Sequence, residues 1–237
     1  MSPQSGKEAK GETTGPIVRI NCRDLARVLP FMALDDMRYY LNGVYVEPVA
    51  DGCILVATDG HRLGAIRSSA SFSAQPVIVR ASNQFADLVR SAAYDADVIV
   101  DEPKGQARIV LNGVEKFVQA GTGLIDGKYP DWRRVIPKEE ELAHGLPGAV
   151  NARYLKSFID VAANTSGYRG DCIYFSHKVS AGQKPEDAVI VARADGEPEL
   201  VMCLMPMRFD RKLIPTWTRP VSVPEASVAT ESAEVAS

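Results

Sequence analysis

The sequence predicts an α+β protein assembled from repeated strand-helix-strands units, with helices in one layer and antiparallel sheets in the other. Three observations carry this expectation. A short apolar strand, a polar N-cap and an amphipathic helix follow one another three times along the chain. Each copy continues into β-branched stretches separated by polar turns. The copies recur every 60 to 70 residues or so, and a unit of that size can hide its apolar helix face only against a neighbour, at roughly that period.

The elements follow in order. Ile17 to Ile20 read as a strand, Asn21 as an N-cap with Asp24 three residues on, and Leu25, Val28, Leu29 and Met32 as the apolar face of a helix. Pro30 removes a backbone donor and should kink or end that helix. Strands are expected over 43–47 and 53–58. In the second copy Val77 to Val79 lead to the cap Ser82 and to Phe85, Leu88, Val89 and Ala92 on one helix face, with strands over 96–101, 107–111 and 116–120. In the third, Asn151 caps a helix bearing Tyr154, Leu155, Phe158, Ile159 and Ala162, before strands over 172–176, 188–192 and 200–205.

Composition narrows the function. The chain has 237 residues, 46% hydrophobic and 24% charged, enough for a sizeable core. No apolar run reaches the roughly 18 residues of a membrane span, and no apolar segment follows the N-terminal lysines, so a cytoplasmic protein is expected. Cys22, Cys53, Cys172 and Cys203 form no CxxC pair and read as buried thiols. A net charge of −3 argues against a surface that coats nucleic acid throughout. A local basic lining remains: Arg23, Arg27, Arg90, Arg153 and Lys156 sit on the polar helix faces, opposed by Asp87 and Asp160. On one helix such a face is ordinarily solvated, whereas three side by side form a mildly positive layer suited to gripping DNA phosphates without reading sequence.

Catalytic signals are thin. His61, His144 and His177 lack a partner at the spacing that places two ligands on one helix face, and GxSxG, HExxH and GxxxxGK[ST] are absent. Gly121 to Gly127 has the wrong glycine spacing for a phosphate loop and reads as a turn. Glu139, Glu140 and Glu141 read as a solvated hinge, and Asp35 with Asp36 likewise. Asp59 and His61 alternate along an extended segment and are the one dyad a hydrolase reading retains. No cofactor and no metal are expected.

Four segments bear a resemblance. Met37-Arg-Tyr-Tyr-Leu-Asn-Gly43 and Ala57-Thr-Asp-Gly-His-Arg-Leu63 resemble the middle domain of the bacterial DNA polymerase III β sliding clamp. Asp126-Gly-Lys-Tyr-Pro-Asp-Trp-Arg-Arg-Val-Ile-Pro137 is similar to the segment leaving that domain, and Leu204-Met-Pro-Met-Arg-Phe209 to the last strand of the clamp subunit. The resemblance implies a DNA-clamp fold of β-α-β-β-β units, two per domain, with helices lining a central hole. Composition marks flexible tails over 1–16 and 210–237, and between them the resemblance divides the chain into a clamp domain over 17–137, a linker over 138–147 and a shortened clamp domain over 148–209. The resemblance also implies departures, since the family's first domain and the first half of its last domain have no counterpart here.

What the family's site implies is a peptide-docking pocket between the middle and last domains. Its walls map onto Leu41, Thr58, Gly60, His61, Arg62 and Leu63, onto Pro130, Arg134 and Val135, and onto Cys203, Leu204, Met205, Pro206, Met207 and Arg208. The implied partners are double-stranded DNA, bound without sequence preference, and a DNA polymerase, clamp loader or repair protein carrying a short hydrophobic motif. A homo-oligomer is also implied. Two functions stay open: a non-catalytic clamp-like replication accessory that tethers partners to DNA, and a clamp mimic or adaptor that keeps the pocket without encircling DNA.

Overall fold

Each expected helix forms where its cap and apolar spacing place it. In the computed structural model, which describes residues 17–207 apart from 93–95, 102–105, 121–122, 147, 164–171 and 185–186, helix α1 spans Cys22–Val28. Asn21 Oδ1 accepts the Asp24 amide at 3.2 Å. The helix stops in a 3-10 turn over Leu29–Phe31 that holds Pro30, because proline's missing N–H ends the hydrogen-bond ladder. Helix α2 covers Asn83–Ser91, with Ser82 Oγ accepting from the Phe85 amide at 3.2 Å. Helix α3 covers Ala152–Ala163, preceded by Asn151, whose Oδ1 accepts the Arg153 amide at 2.9 Å. Both expected tails, 1–16 and 210–237, lie outside the described residues.

The strands are β1 (Ile17–Asn21), β2 (Gly43–Val49), β3 (Gly52–Thr58), β4 (Arg62–Ser68), β5 (Val77–Arg80), β6 (Ala96–Asp101), β7 (Gln106–Leu111), β8 (Val114–Ala120), β9 (Leu142–His144), β10 (Ile173–Lys178), β11 (Ile190–Ala194) and β12 (Leu200–Leu204). They form two antiparallel sheets, ordered β1-β6-β7-β8 and β5-β2-β3-β4-β12-β11-β10-β9. The first two units exchange their leading strands: β1 pairs with β6, and β5 with β2. The third unit joins the first edge to edge, β12 pairing with β4 in the register Cys203↔Leu63 and Leu204↔Arg62.

Two strands depart from expectation. β4 escapes the alternation test because both of its faces are covered: Leu63 and Ala65 are 2% exposed on one side, and Ile66 is 2% exposed on the other. Gly64 is needed on that second face, since a Cβ there would lie 2.3 Å from the Phe31 ring. β9 falls inside the segment expected as a linker, 138–147, where Leu142–His144 pairs with β10 and Glu139–Glu141 is a 3-10 turn in which Glu141 accepts the Lys138 amide at 2.9 Å. β9 serves β10 as β1 serves β6.

The eight-stranded sheet thus has apolar material on both sides. On its inner face α1, α2 and α3 pack a core that includes Leu25, Phe85 and Phe158, the last tilted against Phe31 at 5.3 Å. On its outer face the segments 33–41 and 124–136 cover Val56, Leu63, Ala65 and Cys203 with Leu41, Ile125, Tyr129 and Trp132. The Tyr129 ring stacks on Tyr45 at 4.8 Å, and Trp132 Nε1 donates to Glu47 at 3.1 Å, which pins the outer strap to β2.

A buried ion cluster fastens the third unit to α1. Glu197, in the turn between β11 and β12 and 8% exposed, accepts from Arg27 and, at 3.4 Å, from Arg23. Arg27 is 6% exposed and also reaches Asp24 at 3.3 Å. Burial pushes the Glu197 carboxyl up, and the two guanidinium groups oppose that shift. Removing the carboxylate would take away the closest counter-ion of a buried arginine and leave Asp24 to balance it at 3.3 Å, which costs more than the pair itself is worth. Glu197→Ala is accordingly expected to lower unfolding stability by about 3 kcal/mol in urea titrations, with a smaller loss when Arg27→Met is added.

Candidate partner-docking groove

The groove is built around a tight hairpin. β3 and β4 end at Thr58↔Leu63, and the three residues between them turn because side chains replace the missing ladder bonds. Asp59 Oδ1 accepts the amides of His61 and Arg62, both at 2.9 Å, while Thr58 Oγ1 accepts from Gly60 N at 3.0 Å and donates to Arg62 O at 2.7 Å. Gly60 has φ +88° and lies under the Arg38 guanidinium, where a Cβ would come within 2.8 Å of Nη1. Arg38 donates to Asp59 O at 3.0 Å and to both Asp36 carboxylate oxygens at 3.0 and 2.7 Å.

Beside this hairpin runs β12, and the Met205 amide continues the ladder by donating to His61 O at 2.8 Å. The strap over 130–135 closes the third side. Together they enclose an open groove of about 250 Å³ lined by Arg38, Tyr40, Leu41, Thr58, Gly60, His61, Arg62, Leu63, Pro130, Asp131, Trp132, Val135, Cys203, Leu204 and Met205. The floor is apolar, and the rim cations are matched by carboxylates: Arg38 by Asp36, Arg62 by Asp59 at 2.9 Å, Arg134 by Asp131 at 2.9 Å. Arg62 also donates to Ser157 of α3 and lies over the Tyr154 ring at 4.9 Å, and His61 stacks on Tyr154 at 5.8 Å. The rear wall of the groove is therefore braced by the third unit's helix.

Most of the residues expected here converge. Leu41, Thr58, Gly60, His61, Arg62, Leu63, Pro130, Val135, Cys203, Leu204 and Met205 line one cavity. Arg134 stands on the strap with its side chain in the Asp131 pair, and Met207 bridges to Ala149 beyond the rim. Pro206 lies between Met205 and Met207, and Arg208 is outside the described residues. Arg38, Tyr40, Asp131 and Trp132 were missed, although each sits inside a motif already singled out. Tyr154 was missed too, because an aromatic at helical spacing reads as core.

Catalytic alternatives lose their geometry. Asp59 spends its oxygens on two backbone amides and Arg62 Nε, so it orients a turn and forms no bond to the His61 ring. Burial pushes the Cys203 thiol up to about 12, far from a reactive thiolate at neutral pH. Among the described residues no three His, Cys, Asp or Glu side chains are grouped to hold a metal ion.

The helix layer is less positive than its sequence suggests. Arg27 does not face solvent, being buried against Glu197, and Arg23 shares that carboxylate. Arg90 pairs with Asp87 and Lys156 with Asp160, each at 2.6 Å. Arg153 is exposed on α3. Arg23, Arg27 and Arg90 still converge on one groove between the helices, together with Asp160 and Val161.

Residues 23–131 match the family model for the DNA polymerase III beta subunit, central domain. The beta sliding clamp of Pseudomonas putida is 33% identical over 203 residues, covering 82% of this chain and 51% of the relative. That of Escherichia coli K12 is 31% identical over 117 residues, covering 46% and 30%. The chain thus spans about half the length of the first relative. Among solved structures, DNA polymerase III subunit beta from Borrelia burgdorferi in complex with a natural product superposes with TM-score 0.59 at 15% identity over 86% of this chain and 67% of its own. A DNA polymerase sliding clamp from Pseudomonas aeruginosa gives 0.55 at 20% identity over 84% and 69%. The fold is the α+β fold of the sliding clamps.

One property of the groove is open to direct measurement. The Arg38 bonds hold the Asp36 carboxyl down at about 2, so its contribution is complete at neutral pH and is lost progressively as pH falls from the ordinary carboxylate range of about 4 through about 2. Carboxyl carbon NMR should show Asp36 titrating near there, and Arg38→Gln should return it to the ordinary range of about 4.

Proposed function

With a chain that is DNA polymerase III beta clamp-like as the premise, we propose that it is a non-catalytic replication accessory that holds a polymerase, clamp loader or repair protein through a short hydrophobic motif seated in the groove. The observation that carries this reading is the convergence of residues 58–63, 130–135 and 203–205 on one apolar floor with a charge-balanced rim. Such a floor takes large apolar anchors, while the guanidinium groups at the rim suit the carbonyls of an extended backbone. Met205, 43% exposed, is soft and unbranched and adapts to different anchors.

A peptide with a polar residue followed by Leu and Phe is the expected ligand. Met205→Asp or Leu63→Asp should weaken it by at least ~2 kcal/mol, about thirtyfold in Kd, since an unpaired charge would enter the anchor site. Fluorescence anisotropy with labelled peptide measures this; no binding by the wild type, or equal binding by both variants, defeats the reading.

A second reading, an adaptor that keeps the groove without encircling DNA, draws support from the helix layer. Arg23, Arg27, Arg90 and Lys156 each lie within 4 Å of a carboxylate, so phosphate would have to displace an internal partner. The two readings differ in salt dependence. If the layer grips duplex DNA, Arg153→Ala should reduce the slope of log K against log salt by about 1. An unchanged slope, with a light-scattering mass that circular DNA does not alter, favours the adaptor.

A further inference from the structure

The strand that walls the groove does not stop there. Beyond Leu204 the Met205 amide bonds to His61 O and the Met207 amide to Ala149 O, both at 2.8 Å, leaving Met205 43% exposed at the rim and Met207 46% exposed beyond it. The chain then continues for residues 208–237, whose first part reads Arg211-Lys-Leu-Ile-Pro-Thr-Trp-Thr-Arg219. Leu213, Ile214 and Trp217 are large apolar residues in otherwise polar and basic surroundings.

We infer that the Leu213–Trp217 segment of the same chain occupies the groove and competes with partner peptides. The inference rests on the peptide-docking reading above and adds a regulator to that site. Reach permits it: Leu213 lies six residues beyond Met207, an extended span of up to about 20 Å, and Met205 itself lines the groove. Size permits it, since about 250 Å³ over Leu41, Leu63 and Val135 holds a few apolar side chains. Charge permits it as well. The rim cations Arg38, Arg62 and Arg134 are each paired with a carboxylate, so Arg211, Lys212 and Arg219 meet no unbalanced positive charge. A short tether supplies an effective concentration of order 1 mM, so a segment with an intrinsic Kd of about 100 μM docks roughly nine-tenths of the time.

Trp217 reports on its own position. It is one of two tryptophans, and the difference in emission between the full chain and Trp217→Phe isolates it from Trp132. Docking predicts a blue-shifted Trp217 signal protected from acrylamide, which becomes solvent-like in Met205→Asp and stays constant over about a hundredfold dilution. Solvent-like emission that Met205→Asp leaves unchanged overturns the inference, and loss of the signal on dilution assigns the groove to a second copy instead. Removal of residues 208–237, or Leu213→Asp with Trp217→Ser in the full chain, should tighten peptide binding about tenfold. Equal affinity overturns self-occlusion while leaving the groove reading intact. Absence of peptide binding in every form defeats the groove reading, and the Trp217 signal still decides whether the segment docks.

Discussion

The pairing of β4 with β12 is the constraint on which the groove depends. Its register, from Leu200↔Ile66 to Leu204↔Arg62, fuses the first and third units into one sheet. Residues about 140 positions apart then share a hydrogen-bond ladder, and the ladder sets Met205 beside His61 to within a main-chain bond. The rigidity of this contact differs in kind from two domains touching through side chains. A slip of β12 by one residue would turn Cys203 away from the outer face and break the floor it shares with Leu63.

A sheet joined in this way needs covering on both faces, and the two covers do different work. The helices inside supply the larger core and, through Arg62, Tyr154 and Ser157, hold the hairpin from behind. The strap outside leaves a gap between Pro130 and Met205, and that gap is the groove. The turn at Asp59 to His61 belongs to both, because its side chains complete the local hydrogen bonds while its outer surface forms a wall. Hairpin, strap and last strand are therefore one mechanical unit.

The helix layer obeys a different balance. A guanidinium buried under a turn, as Arg27 is, must be neutralised where it sits, and Glu197 does so at the junction of α1 with the third unit. That cation contributes to holding the chain together and is withdrawn from any ligand. Arg90 and Lys156 keep their carboxylates one helical turn away, on exposed faces where such pairs are weak and exchangeable. The layer consequently combines one fixed internal pair with several weaker pairs on exposed helix faces.

Local chemistry was legible along the chain, and assembly was not. The caps at Asn21, Ser82 and Asn151, the stop at Pro30 and the helix faces all follow from interactions within a few residues, so the sequence by itself determined the three helices and most strands. The groove was legible only through the resemblance that the motifs around Leu41, His61 and Met205 carry, since each of those residues taken alone reads as ordinary packing. β4 stayed hidden because a strand buried on both faces loses its alternation, and β9 because three residues carry no period. Only the tertiary structure decided that Arg27 is a buried counter-ion rather than a surface charge, that Tyr154 braces a wall and that Arg38 caps Gly60. Each of those roles is set by a partner distant in the chain, and proximity across a fold leaves no trace in the spacing of the residues it joins.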